Sequence, residues 1–206
     1  MFMFIRILII LLLYCSPLKA DQYDVRLEQL FNRLLETDKE EEINNITLNI
    51  WEIWLESNDS NIEDDFYEGL KSMRKGDLKM SVVFFTRVIE KKPTFAEAWN
   101  RRATVYYMLG KFDKSMFDIN ETLKLEPRHF GAMDGMVLIL LHQQEYEKAI
   151  ASYKKVIELN PYDYQAYTNL FEIQLISNLN FDKELESKYI NFFKDEKDYF
   201  NCVCSN

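Results

Sequence analysis

Pro93, Pro127 and Pro161 stand 34 residues apart, and each closes a copy of one amphipathic pattern. Aligned on them, the chain reads GDLKMSVVFFTRVIEKKP over 76–93, GKFDKSMFDINETLKLEP over 110–127 and QEYEKAIASYKKVIELNP over 144–161. A fixed period of this size marks a stacked repeat architecture, in which one unit cannot bury its apolar face alone and neighbours complete the core. Within 96–129, Trp99, Ala103, Tyr106 and Tyr107 recur at helical spacing, and Gly110 breaks that helix. Met116, Ile119 and Leu123 form the inward stripe of a second helix, which Pro127 stops because proline lacks the backbone donor and restricts the residue before it. With only 5 Gly and 4 Pro in 206 residues, turns are few and elements long, so an all-α chain is expected. Such a chain offers a binding surface rather than a reaction pocket.

These residues resemble the tetratricopeptide repeat family, whose pattern runs W-x2-L-G-x2-Y, then A-x3-F, then P. In 96–129, Trp99, Tyr106 and Pro127 match, Arg102 and Ala103 stand where Leu and Gly are usual, and Ser115 and Ile119 replace Ala and Phe. The copy 62–95 supplies Gly69, Ser81, Phe85 and Pro93, and the copy 130–163 supplies Ala149, Tyr153 and Pro161, with Met133 and Leu140 at aromatic positions. The resemblance implies a right-handed α-solenoid of antiparallel helix hairpins. A finer resemblance, carried by the stretch from Trp51 to Arg101-Arg102 and by Glu126-Pro127-Arg128-His129-Phe130-Gly131-Ala132, is to exported bacterial repeat proteins with no assigned activity.

The flanks drift out of phase. Tyr167, Leu170 and Phe171 predict a further first helix over 164–176, then a turn at 178–181 and a closing helix over 182–199. Upstream, Phe31, Leu34 and Leu35 mark a helix over 24–36, and Trp51 and Trp54 lie on the next, 40–57, with Asp59 at the proline position. Residues 21–61 are therefore expected as an N-terminal hairpin cap and 164–206 as a degenerate fourth repeat, capping helix and tail. Trp51 and Trp54, beside Ile46, Ile50 and Leu55, are expected to dock onto the next hairpin, the alternative being an exposed aromatic patch.

Residues 1–20 have the build of a secretory signal peptide: Arg6, the apolar run 7–13, and Ala20 before charged Asp21. Cleavage after Ala20 is expected, leaving a periplasmic or secreted protein. An uncleaved anchor over 2–18 is the alternative, and Tyr14 before Cys15 argues against a lipoprotein signal. Loss of Arg6 and Lys19 leaves 23 basic and 34 acidic side chains, a net charge of −11 that repels nucleic acid and anionic lipid. Cys202 and Cys204, near the end of the chain, form a poor metal site without a third ligand.

No phosphate loop, nucleophile elbow or H-E-x-x-H occurs, and His129 and His142 lie on different repeats with no ligand spacing. No catalysis, cofactor or metal is expected. Acidic runs such as Glu40-Glu41-Glu42 sit at helix starts, where the helix dipole favours them.

The expectation is a protein–protein interaction scaffold; the alternative is a self-assembling or complex-assembly subunit without a soluble ligand. By resemblance, the first helix of each repeat lines the concave face. The family's groove positions fall on Phe66 and Leu70, on Asn100, Arg101, Thr104 and Tyr107, on Asp134, Leu138 and Leu141, and on Thr168 and Glu172. Chaperone-binding members hold a C-terminal carboxylate in a lysine–asparagine clamp; Phe66 and Leu70 stand where that clamp starts, so that role is not implied. Arg101 is the expected anchor for an acidic group, unless it pairs with Glu97 four residues earlier.

Overall fold

A computed structural model of the chain describes residues 24–177 and 187, and all that follows concerns these residues. They form nine helices and no strand: α1 (Val25–Glu36), α2 (Glu40–Leu55), α3 (Ser60–Arg74), α4 (Leu78–Lys91), α5 (Ala96–Met108), α6 (Phe112–Leu125), α7 (Phe130–His142), α8 (Tyr146–Leu159) and α9 (Tyr164–Ser177). The expected signal peptide, the closing helix over 182–199 and Cys202 and Cys204 lie outside the described residues. No helix among them is long and apolar enough to cross a membrane.

The period is visible in the backbone. Gly76 and Gly110 end the first helices of their repeats with φ of 77° and 69°, and Gln144 does so in the third with φ of 60°. At each turn the amide three residues past the helix reaches back to close it: Asp77 to Ser72, Lys111 to Tyr106 and Glu145 to Leu140, at 2.8–2.9 Å. This left-handed cap satisfies carbonyls that the helix end leaves open. It turns the chain back on itself in the same way three times.

Small residues then let the two helices of a hairpin close up. Ser81 Oγ donates to the Gly69 carbonyl at 2.9 Å, and 34 residues on Ser115 Oγ donates to that of Ala103 at 2.8 Å. A Cβ on Gly69 would lie 2.7 Å from Cε1 of the fully buried Phe85, so no larger residue fits without displacing that ring. Ile62, Phe66, Phe85, Val88, Phe95 and Val105 fill the core of the first repeats, and Val137, Leu140, Ala149, Tyr153, Tyr167 and Leu170 that of the last. Burying a side chain of this size contributes roughly 1.5–3 kcal/mol.

Curvature follows from which helices touch. α3 packs on α5 and α5 on α7, whereas each second helix packs mainly on the first helices beside it. The first helices thus crowd together on the inner side of the array.

The N-terminal hairpin departs from the sequence expectation. Its own core is as expected, with Leu27, Phe31, Leu34, Ile43, Ile46, Ile50 and Trp54 buried between α1 and α2. Its docking site is not the next hairpin. α2 packs against α5 and α1 against α8, so the hairpin runs along the edge where second helices give way to first helices. Lys92 Nζ donates to the Ser57 carbonyl at 2.7 Å, Arg128 Nη1 meets Glu28 at 2.9 Å, and Tyr162 packs against the hairpin core. One hairpin thus ties together the connections of three successive repeats.

Candidate functional site

Two regions carry unusual chemistry: the inner face made by the first helices, and the joint between the N-terminal hairpin and the repeats.

On the inner face the 34-residue register sorts the side chains into rows. Phe66, Asn100, Asp134 and Thr168 form one row, Leu70, Thr104, Leu138 and Glu172 the second, and Met73, Tyr107, Leu141 and Leu175 the third. The first row is largely turned inward. Phe66 is buried, its ring 5.0 Å from Phe95 and 5.8 Å from Phe85. Asn100 is buried and donates through Nδ2 to Glu97 Oε2 at 3.0 Å. Neither offers a partner the surface expected of it, because in these helices that position faces the neighbouring hairpin.

Asp134 is the exception in its row. It is exposed and makes no hydrogen bond or ion pair among the described residues. Its carboxyl is pushed up to about 6, chiefly because the surrounding protein reduces its hydration and secondarily by the charge of Asp163, with His129 acting in the opposite sense. Three carboxylates converge here: Tyr153, raised to about 12 by burial, also feels the charges of Asp134, Asp163 and Glu172, against an opposing hydrogen bond from Asn169.

The other rows stay accessible. Thr104 and Glu172 are exposed, Leu138 is 46% exposed, and Leu70, Tyr107 and Leu141 are half-buried, as is Thr168 of the first row. Met108 and Leu175, 53% and 50% exposed, were absent from the expected set. Leu175 was legible, since it stands 34 residues after Leu141; Met108 belongs to the neighbouring row with Arg74 and His142, at the C-terminal ends of the first helices.

Arg101 points elsewhere. It is 22% exposed on its side chain, its Nε lies 2.5 Å from Glu97 Oε1, and its guanidinium sits 5.7 Å from the Trp51 ring centre. The expected anchor for an acidic ligand is instead part of the joint.

That joint is built around a fully buried carboxylate. Glu97, in the first turn of α5, accepts from Asn100 Nδ2 and His129 Nε2 at 3.0 and 2.9 Å through Oε2, while its Oε1 meets Arg101 as an ion pair. Burial alone would raise its pKa; the His129 hydrogen bond, the facing cationic charge and Asn100 outweigh it and hold the carboxyl below its ordinary range. His129 caps α7, its Nδ1 accepting from the Ala132 amide at 3.2 Å, which assigns the ring proton to Nε2. Both ring nitrogens of His129 are engaged, so the imidazole has no free lone pair with which to act as a base.

Aromatic rings close the joint. Trp54 stacks on His129 at 4.0 Å and 10°, and Trp51 meets His129 and Phe130 edge-on at 5.5 and 5.2 Å. A Cβ on Gly131 would lie 2.4 Å from Trp51 Cη2, so glycine there makes room for the indole. Arg128 lies over the Phe31 ring at 4.5 Å and holds Glu126 at 3.0 Å. Trp51, Arg101 and the run 126–131, which carried the finer resemblance in sequence, therefore meet in space. Among the described residues no group of three His, Cys, Asp or Glu side chains is placed to hold a metal ion.

Comparisons with known proteins agree with this architecture. Two family profiles, both described as tetratricopeptide repeat, match residues 96–129 and 134–163. A TPR repeat-containing protein of Rhizobium etli is 31% identical over 155 residues, covering 74% of this chain and 76% of that protein. The small glutamine-rich tetratricopeptide repeat-containing protein 2 of Saccharomyces cerevisiae is 26% identical over 128 residues, 62% of this chain but only 37% of its own length. Among solved structures, a MamA RS-1 double mutant superposes with a TM-score of 0.57 at 17% identity, over 85% of this chain and 98% of that one. The first TPR of Spaghetti (RPAP3), bound to an HSP90 peptide, does so with a TM-score of 0.53 at 23% identity, over 56% and 94%.

Proposed function

We propose, from the premise that this chain belongs to the tetratricopeptide repeat family, that it is a non-catalytic scaffold of the cell envelope which binds a peptide or protein segment along the inner face of its first helices. The observation that carries the reading is the exposure of Leu138, Met108 and Leu175 on that face, with Leu70 and Leu141 half-covered between them. A row of aliphatic side chains on adjacent helices is costly to leave in water and is the kind of patch that marks an interaction site. The peptide carried by the Spaghetti domain on a similar fold supports a ligand of that size. Export rests on the pattern of residues 1–20 alone.

Three measurements test the reading. Crosslinking in intact cells followed by mass spectrometry should recover a partner joined to residues of α5, α7 or α9; crosslinks confined to α4, α6 and α8 would move the site to the outer face. N-terminal sequencing of the native protein should begin at Asp21; a chain beginning at Met1 would replace the exported soluble protein by an anchored one. Sedimentation across concentration should give a monomer, and a closed oligomer would favour the assembly role.

A further inference from the structure

We infer that the inner face selects a segment in which aliphatic side chains alternate with lysine or arginine, rather than an acidic segment or a C-terminal carboxylate. The inference rests on the inner-face reading above and adds the chemical class of the partner.

The argument is one of charge left over. A strip of Leu70, Met108, Leu138, Leu141 and Leu175 crosses the first helices and asks for apolar side chains opposite. The charges beside it differ along its length. On α7 and α9 it is flanked by Asp134 and Glu172, both exposed and both without a hydrogen bond or ion pair among the described residues. Asp163, at the start of α9, adds a third carboxylate, its Oδ1 accepting from the Ala166 amide at 2.9 Å.

The cations that could have balanced them are committed elsewhere. Arg101 is bound to Glu97, and Arg128 to Glu126 and Glu28. Arg102 holds Asp118 through two hydrogen bonds of 2.7 and 2.9 Å and Thr86 through a third of 3.0 Å, on the outer side of α5. Arg74, exposed at the C-terminal end of α3, and His142 at the end of α7 lie at the far ends of the first helices, whereas Asp134 is in the first turns of α7 and Asp163 just before α9. A cationic side chain of the partner placed between Asp134 and Glu172 would meet both carboxylates and relieve the Asp163 repulsion that adds, after lost hydration, to the rise of the Asp134 carboxyl. A carboxylate there would add to it, and like charges placed together at an interface discriminate strongly against the wrong partner.

The test is selection from a phage-displayed library of random dodecapeptides on the immobilised full chain, followed by anisotropy titration of individual labelled peptides. Selected peptides are expected to carry Leu, Ile or Phe interleaved with Lys or Arg. Asp134→Lys should weaken them about tenfold or more, and Leu138→Asp similarly, with helical circular dichroism and melting temperature preserved. The charge-swapped D134K protein should in turn gain affinity for peptides in which the basic residues are replaced by Glu. Acidic peptides that bind the native chain and are lost on Leu138→Asp would overturn the partner class while the inner-face site stands. Peptides whose affinity ignores both Leu138→Asp and Leu175→Asp would overturn the site itself, and an unenriched library would overturn both.

Discussion

The repeats from α3 to α8 and the joint that holds α1 and α2 to them are held together by opposite means. The repeats use one geometry three times: a left-handed turn, a small residue where helices cross, and an aliphatic or aromatic ring over it. Their turns and helix crossings recur at a spacing of 34 residues. The joint has no counterpart. It gathers a buried carboxylate, a histidine, an arginine and three aromatic rings at one point. Periodic packing is assembled from many modest terms, and damage to one is shared with its neighbours. A single polar joint concentrates its stability in a few partners that fail together.

That difference sets the expected size of each substitution. Trp54→Ala should cost the most, about 3–5 kcal/mol in denaturant titration, since it empties a fully buried aromatic site. Hydrogen exchange should then show α1 and α2 opening before the repeats. Trp54→Phe keeps a ring against His129 and removes an indole N–H that has no acceptor among the described residues, so its cost should be well below that of alanine. A loss under about 1 kcal/mol for Trp54→Ala would remove the contrast between the regions.

Glu97→Ala should follow at about 3 kcal/mol, because Arg101, Asn100 and the His129 Nε2–H lose their common partner inside the protein. The folded-state pKa of Glu97 is lowered, so its contribution is present above the unfolded-state pKa and is lost as pH falls through the folded value. The native chain should therefore lose stability in acid more steeply than Glu97→Gln, in urea melts compared at neutral pH and below pH 4.

Two glycines compare the regions directly. Gly69→Ala drives a methyl into Phe85, which is fully buried and cannot retreat, and should cost about 2 kcal/mol across the whole melt. Gly131→Ala meets Trp51, which is half-exposed and can swing outward, so about 1 kcal/mol is expected. Here the signature is local, a change in tryptophan fluorescence with α1 and α2 loosened. Equal global losses for both would mean that the hairpin is as cooperative with the repeats as they are with one another.

The smallest effect belongs to the one irregular turn. Gln144 adopts φ of 60° where the equivalent residues are Gly76 and Gly110. Gln144→Gly should relieve the left-handed strain, and after glycine's own entropy cost raise stability by about 0.5 kcal/mol, read as a shift of one to a few degrees in melting temperature.

The helices and their turns were legible because each is repeated. Gly76, Gly110 and Gln144, Ser81 and Ser115, and the rows through Leu70 and Leu141 recur at one spacing, and a wrong assignment in one copy is corrected by the next. The failures have a physical pattern. Phe66 and Asn100 were expected at the surface because their register position usually faces a groove, yet packing against Phe95 and Glu97 turned them inward. Arg101 was expected to await a ligand, yet the alternative pairing with Glu97 prevailed once Trp51 had closed over it.

What the sequence determined by itself is the repeat: its period, the two helices of each unit, the turns between them and the apolar stripe that makes them stack, all consequences of local conformational preference and periodic burial. Only the tertiary structure decided where the N-terminal hairpin docks. The contacts that fix it join Trp51 and Trp54 to Glu97, His129 and Gly131, positions separated by tens of residues and by no common period. A stacked ring, a buried ion pair and a missing Cβ acquire energy only when they meet, and nothing in the neighbourhood of any one of them says which of the others it will find.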